Sequence, residues 1–143
     1  MSMQTVTDLM TPDPLSLQRS ATLKDAHELM RLKNIRHIPV IDNEGFLIGM
    51  LTQKVLIGAV INLLAKYGAA ALDHKEQQLG VATLMLTDFA TVTPDQSLTD
   101  VAAFFVSNRH GCLPVVSGDN KLLGILTSSD FVKLAVQLLA EKA

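Results

Sequence analysis

The chain has 143 residues, 48% hydrophobic and 18% charged, enough for about one ordinary domain that buries roughly two thirds of its unfolded surface. That balance excludes a disordered chain. Twelve Lys and Arg against fourteen Asp and Glu leave a formal net charge of −2 with no basic run, so nucleic acid is not an expected partner. Met1 to Met10 lacks the basic flank and apolar core of a secretory leader. The single cysteine, Cys112, excludes an internal disulfide and a multi-cysteine zinc site and suits a reducing compartment, so a cytoplasmic location is expected.

The segment from Val6 to Leu56 matches Val81 to Phe131 at a constant offset of 75, with twelve identities over fifty-one ungapped positions. Two copies of one unit are therefore present. The identities cluster at structural punctuation, including Leu9 and Leu84, Met10 and Met85, Pro39 and Pro114, Gly49 and Gly124, and Thr52 and Thr127. Residues 1–72 are read as the first repeat with its terminal helix, 73–80 as a polar linker, and 81–143 as the second repeat with its terminal helix.

Each copy opens with a Leu-Met segment and a brief extended stretch, Leu15 to Leu17 or Ala90 to Val92. A helix follows, whose start is marked by Thr22 with Asp25 and by Ser97 with Asp100, a capping-box spacing with Asp in the reciprocal position. Leu23, Ala26, Leu29 and Met30, and then Leu98, Val101, Phe104 and Phe105, recur at helical spacing and predict one buried face. An apolar strand comes next, Ile38 to Ile41 or Leu113 to Val116. A turn over 42–45 or 117–120 leads to a strand ending at Thr52 or Thr127, which makes a hairpin. The final helix is expected from Gln53 to Leu72 and from Ser128 to Leu139.

The fold class read from this pattern is α/β (α+β): two β-α-β-β-α repeats packed through their sheets with pseudo-twofold symmetry, because some fifty residues are marginal for an independent core. The segment from Val55 to Leu72 is apolar enough to test as a membrane span. It carries Asn62 and Lys66 and sits at the short limit of length, so no membrane association is expected. Both terminal helices are apolar over more than one stripe, which predicts a homodimer through them; packing of both helices inside one chain is the alternative.

Arg36-His37-Ile38-Pro39-Val40 with Gly49-Met50-Leu51-Thr52, and Gly111-Cys112-Leu113-Pro114-Val115 with Gly124-Ile125-Leu126-Thr127-Ser128-Ser129-Asp130, resemble the signature positions of a tandem pair of CBS domains, also called a Bateman module. The resemblance covers nearly the whole chain, which is similar to the stand-alone CBS proteins of acetoin-utilisation type. It implies a regulatory, non-catalytic protein that binds an adenosine-containing nucleotide in a cleft between the repeats. AMP, ADP or ATP is the implied ligand, S-adenosylmethionine is a further candidate, and no cofactor is implied.

In Thr127-Ser128-Ser129-Asp130, a strand end meets a helix start. Hydroxyls of Thr127 and Ser129 and backbone N–H groups suit a phosphate, and the Asp130 carboxylate suits the two ribose hydroxyls. A helix cap by Thr127 with Asp130 in the first turn is the purely structural alternative. By the resemblance, the base is held by Gly111, Cys112, Leu113 and Pro114, with Thr91 and Val92 from the first strand of that repeat.

The first repeat departs from the pattern, because Val55 stands where Asp130 stands in the second, so one nucleotide per chain is expected. Arg36 and His37, and likewise Arg109 and His110, precede the Pro-Val strands and are candidates to neutralise phosphates. For the arginines, a charge complementing a helix C-terminus is the alternative. His27 and His74 have no metal-ligand spacing, so no metal is expected. Neither a Gly-x-Ser-x-Gly elbow nor a phosphate-binding glycine loop is present, which argues against catalysis. Two other readings stay open: a constitutive dimeric scaffold or interaction protein with a vestigial cleft, and a small nucleotide hydrolase. A separate, unidentified protein target is implied by the regulatory reading.

Overall fold

The computed structural model describes residues 4–108 and 111–142. In chain order the elements are α1 (Val6–Leu9), β1 (Thr11–Pro12), β2 (Leu17–Gln18), α2 (Leu23–Lys33), β3 (His37–Ile41), β4 (Leu47–Thr52), α3 (Gln53–Tyr67), α4 (Leu72–Gln78), α5 (Leu98–Ser107), β5 (Cys112–Val116), β6 (Leu122–Thr127) and α6 (Ser128–Lys142). Short 3-10 turns over Ala69–Ala71 and Val81–Thr83 complete the series. The mixed α/β class and the two hairpin-bearing repeats agree with the sequence reading.

The chain divides into two compact units whose limits are not the repeat limits: Leu15–Phe89 forms one, and Met1–Pro14 with Ala90–Ala143 forms the other. Each unit takes its main hairpin from one repeat and a short leading segment from the other. In the Leu15–Phe89 unit, β2 runs parallel to β3 and β3 antiparallel to β4. Leu86, which leads the second repeat, pairs with Met50 through N–H to carbonyl bonds of 2.9 and 2.8 Å. In the other unit, β5 pairs antiparallel with β6, and β1, from the start of the chain, pairs with the far edge of β6. The expected strand from Ala90 to Val92 reduces to a single parallel bridge between Val92 and Val115.

The cores follow the predicted apolar positions. Leu23, Ala26, Ile38, Val40, Leu51 and Val81 are fully buried in the first unit, and Val6, Val115 and Leu126 in the second. Each Val, Leu or Ile side chain among them stabilises by about 1.5–3 kcal/mol relative to exposure. Thr22 and Asp25 form the expected reciprocal cap on α2. Ser97 does not pair with Asp100 in the same way, because its hydroxyl accepts the Thr99 N–H instead at 3.2 Å.

Two expectations about the middle of the chain are corrected. The apolar helix stops at Tyr67 rather than Leu72, because Gly68 takes a φ of +82° that side chains disfavour. The polar stretch read as a linker is helix α4, which folds back at 118° to α3. It is held there by three contacts. Lys24 pairs with Asp73 at 2.7 Å, and His27 Nδ1 meets Glu76 Oε1 at 3.0 Å. Lys75 Nζ lies 4.1 Å from the Tyr67 ring centroid. Glu76 is buried, so the His27 partner compensates part of the desolvation of its carboxylate. Among the described residues no single helix is long and apolar enough to cross a membrane.

Candidate functional site

The described candidate site residues of the second repeat lie in the unit that contains residues 90–143. The β5–β6 ladder places Cys112 directly opposite Thr127. One residue beyond, the Ser128 N–H donates to the Gly111 carbonyl at 3.2 Å. Pro114 has no N–H, and its carbonyl accepts the Val92 N–H at 3.1 Å, while the Val116 N–H donates to the Val92 carbonyl at 2.9 Å. These bonds bring Thr91 and Val92 alongside β5. Thr127, Ser129 and Asp130 stand where β6 turns into α6.

The local order at that turn is set by Asp130. Its Oδ2 accepts the Thr127 N–H at 2.8 Å and the Thr127 hydroxyl at 3.1 Å. Because the Thr127 hydroxyl has one proton and gives it to Asp130, the 2.8 Å contact between Thr127 Oγ1 and Ser129 Oγ has Ser129 as donor. A relay therefore runs from Ser129 through Thr127 to Asp130. In this arrangement neither hydroxyl has a proton left to offer a phosphate. Of the helix-cap alternative only the reciprocal half is present: the Asp130 carboxylate accepts the Thr127 N–H, whereas the Thr127 hydroxyl donates to Asp130 rather than capping an N–H, and only one carboxylate oxygen is engaged. Asp130 Oδ1 has no partner among the described residues, and Asp130 is only half-buried.

The expected base-contacting residues divide by burial. Leu113 and Pro114 are fully buried and Val92 nearly so, so these side chains belong to the core. Gly111 and Cys112 are half-buried, and Thr91 is exposed. Burial pushes the Cys112 thiol up to about 12, with the negative charge of Asp130 adding to the effect. The thiol is protonated at neutral pH, as expected for a small packing residue rather than a nucleophile.

The first repeat carries the corresponding turn without the acid. Thr52 Oγ1 accepts the Val55 N–H at 3.2 Å, an ordinary cap. His37 lies opposite Thr52 in the ladder and is half-buried. Burial, and then the neighbouring Arg36 charge, hold its imidazole below the usual range. Arg36 is exposed, its carbonyl accepts the Gln53 N–H at 2.9 Å, and it lines a hollow between α2 and α3. Both residues belong to the Leu15–Phe89 unit. Arg109 and His110 lie outside the described residues.

Among the described residues, no group of three or more His, Cys, Asp or Glu is placed to hold a metal ion. Sequence reasoning missed Glu76, the buried carboxylate, because it sits in a stretch read as solvated linker. Its one signal was Asp73-His74-Lys75-Glu76-Gln77-Gln78 itself, a run of strong helix formers at its end.

A family model described as CBS domain matches the chain twice, over residues 6–62 and 81–137. A Vibrio cholerae protein named for acetoin utilisation (AcuB) is 34% identical, with a TM-score of 0.82, covering 99% of this chain and 98% of that one. CBSX2, known from Arabidopsis thaliana and solved in complex with AMP, is 33% identical with a TM-score of 0.79, covering 95% of this chain and 98% of that one. An uncharacterised protein of Methanocaldococcus jannaschii is 31% identical over 129 residues, which are 90% of this chain and 42% of the relative. The chain spans less than half the length of the curated relatives it matches. With both repeats matched and the paired hairpins in place, the chain belongs to the CBS domain family.

Proposed function

We propose that this chain is a non-catalytic regulatory module that binds an adenosine-containing nucleotide, with AMP, ADP or ATP as the candidates and S-adenosylmethionine as a fourth. The observation that carries this reading is the divided carboxylate of Asp130. One oxygen is fixed by Thr127, so the side chain is already oriented, and the other is unengaged and suited to accept hydrogen bonds from ribose hydroxyls. Similarity to CBSX2, solved with AMP, supports the same reading. Gly111, Cys112, Leu113 and Pro114, with Thr91 and Val92, supply the edge against which the base is held.

Phosphates require a further step. Ser129 must rotate away from Thr127 to present its proton, or the Arg36 guanidinium must serve instead, with the neutral His37 imidazole as a hydrogen-bond donor. Arg109 and His110 hold the same role by sequence. Catalysis is disfavoured because Ser129 Oγ is bonded to Thr127 rather than to a base and Cys112 is held protonated. Regulation follows by linkage: the ligand shifts the conformational equilibrium only by its differential affinity, and the shift is read by a separate protein target.

A homodimer through the terminal helices is part of the proposal. Val132, Val136 and Leu139 of α6 are 62, 62 and 69% exposed, an apolar stripe suited to a second copy. The same stripe favours the alternative of a constitutive dimeric scaffold with a vestigial site. A cytoplasmic setting fits the free thiol.

Titration calorimetry with AMP, ADP, ATP and S-adenosylmethionine is the deciding experiment. One ligand per chain is expected for at least one of the four. Absence of saturable binding for all four leaves the scaffold reading in its place, and product analysis after incubation tests hydrolysis.

A further inference from the structure

Of the six methionines, the four described ones fall into two classes. Met30 and Met50 are core residues, 7 and 4% exposed. Met10 and Met85 are half-buried and stand at equivalent places in the two repeats, at the offset of 75. Neither lies on α3 or α6, so the homodimer proposed above does not draw on them.

Each sulfur rests on a glycine. Met85 Sδ occupies the space that a Cβ at Gly49 would need, and Met10 Sδ does the same at Gly124. Each side chain also packs against the core of its own unit, Met85 on the cluster that holds Leu51 and Met10 on the cluster that holds Leu126. Val6 and Val81, both fully buried, fix the start of each leading segment. Its end has little backbone pairing. Leu86 and Met50 exchange two bonds in an isolated bridge. β1 is two residues long, and one of them is Pro12, which has no N–H. Packing of the methionine therefore fastens the end of each segment to its hairpin.

A thioether placed half in the core and half in solvent is open to peroxide and costly to oxidise. The sulfur lone pair attacks one oxygen of hydrogen peroxide, the O–O bond breaks as the S–O bond forms, and the other oxygen leaves with the displaced proton as water. The sulfoxide is polar and must set its oxygen against apolar surroundings. The one thiol competes poorly, because the thiolate is the reactive form and Cys112 is protonated at neutral pH. We propose that Met10 and Met85 are paired oxidation sites, converted to sulfoxides by hydrogen peroxide and restored by methionine sulfoxide reductases, and that oxidation loosens each leading segment from its hairpin. The proposal does not rest on the nucleotide reading.

The test treats the full chain with hydrogen peroxide and follows each methionine by peptide mass spectrometry. Met10 and Met85 are expected to oxidise roughly tenfold faster than Met30 and Met50, or more. The oxidised chain should unfold at a urea midpoint lower by roughly 0.5–1 M, and reductases specific for the two sulfoxide epimers should restore it. Met10→Leu combined with Met85→Leu, an apolar exchange of similar size, should hold its midpoint through the same treatment. Oxidation of Met10 and Met85 no faster than that of the core pair overturns the inference, as does an unchanged midpoint once both are oxidised. So does a shift that persists in the double variant, which retains Met1, Met3 and Cys112. The rates and the reductase reversal are read on the wild-type chain, so they decide the matter even if the double variant does not fold.

Discussion

Met10 lies on Gly124: a Cβ at position 124 would stand 2.7 Å from Met10 Sδ and 2.9 Å from the Thr11 carbonyl oxygen. The three atoms nearest a Cβ at the counterpart in the first repeat, Gly49, all belong to the Met85 side chain. Each Leu-Met segment thus packs on the hairpin of the other copy. Gly124→Ala is expected to destabilise by about 1–3 kcal/mol, and Met10→Ala should not rescue it, since the Thr11 backbone remains in the way. Gly49→Ala, in contrast, should be substantially rescued by Met85→Gly, which removes the whole obstructing side chain, including the Cβ at 2.9 Å that alanine would keep. Urea unfolding of the four variants and the two pairs measures both couplings, and equal rescue in the two repeats would refute the distinction.

Asp130 serves both the cap and the proposed ribose contact, and two substitutions separate them. Asp130→Asn keeps an oxygen acceptor for the Thr127 N–H but loses the carboxylate, so nucleotide binding should weaken by about 1.5–3 kcal/mol with little change in unfolding midpoint. Asp130→Ala should lose the same affinity and in addition about 1 kcal/mol of stability from the missing cap. Calorimetry and denaturant unfolding on the same samples provide the comparison. Undiminished nucleotide affinity in Asp130→Asn removes this side chain from the site.

His37 links stability to pH. Burial, reinforced by Arg36, holds its imidazole below the ordinary 6.5 in the folded chain. The unfolded chain therefore takes up a proton first as pH falls. The stability associated with neutral His37 is intact above about 6.5 and is lost as pH drops from there through the folded value. Denaturant midpoints between pH 7.5 and 5 should fall more steeply in wild type than in His37→Asn. Parallel profiles for the two proteins would show that His37 does not contribute.

Cys112 tests the environment beneath the proposed site. With the thiol pushed from an ordinary 9.0 to about 12, the thiolate fraction at pH 8 is lower by roughly a thousandfold, and alkylation slows with it. Iodoacetamide should label the native chain far more slowly than the urea-unfolded one. Similar rates in both states would place the thiol in an open, unshifted environment.

The repeat was legible because its identities sit where local geometry is most demanding: Gly49 and Gly124 at close approaches, Pro39 and Pro114 in the buried strands, Thr52 and Thr127 at helix starts. The cap at Thr22 and Asp25 was legible because both partners lie within one helical turn. Ser97 and Asp100 have the same spacing, yet the Ser97 hydroxyl bonds the Thr99 N–H; a one-residue choice between neighbouring donors leaves no trace in residue type. The Thr127–Asp130 pair could be read as a cap or as a ligand site, and the structure places one oxygen in the cap and leaves the other unengaged.

By itself the sequence determined two β-α-β-β-α copies, their cores and the acid found only in the second, since periodicity, capping and hairpin turns act over a few neighbouring residues. Only the tertiary structure decided that Met10 packs with Gly124 and Met85 with Gly49, and that residues 72–78 form a helix anchored through Glu76 and Asp73. Pairing between segments distant along the chain depends on which surfaces the fold brings together, and residue type at one position does not encode its remote partner.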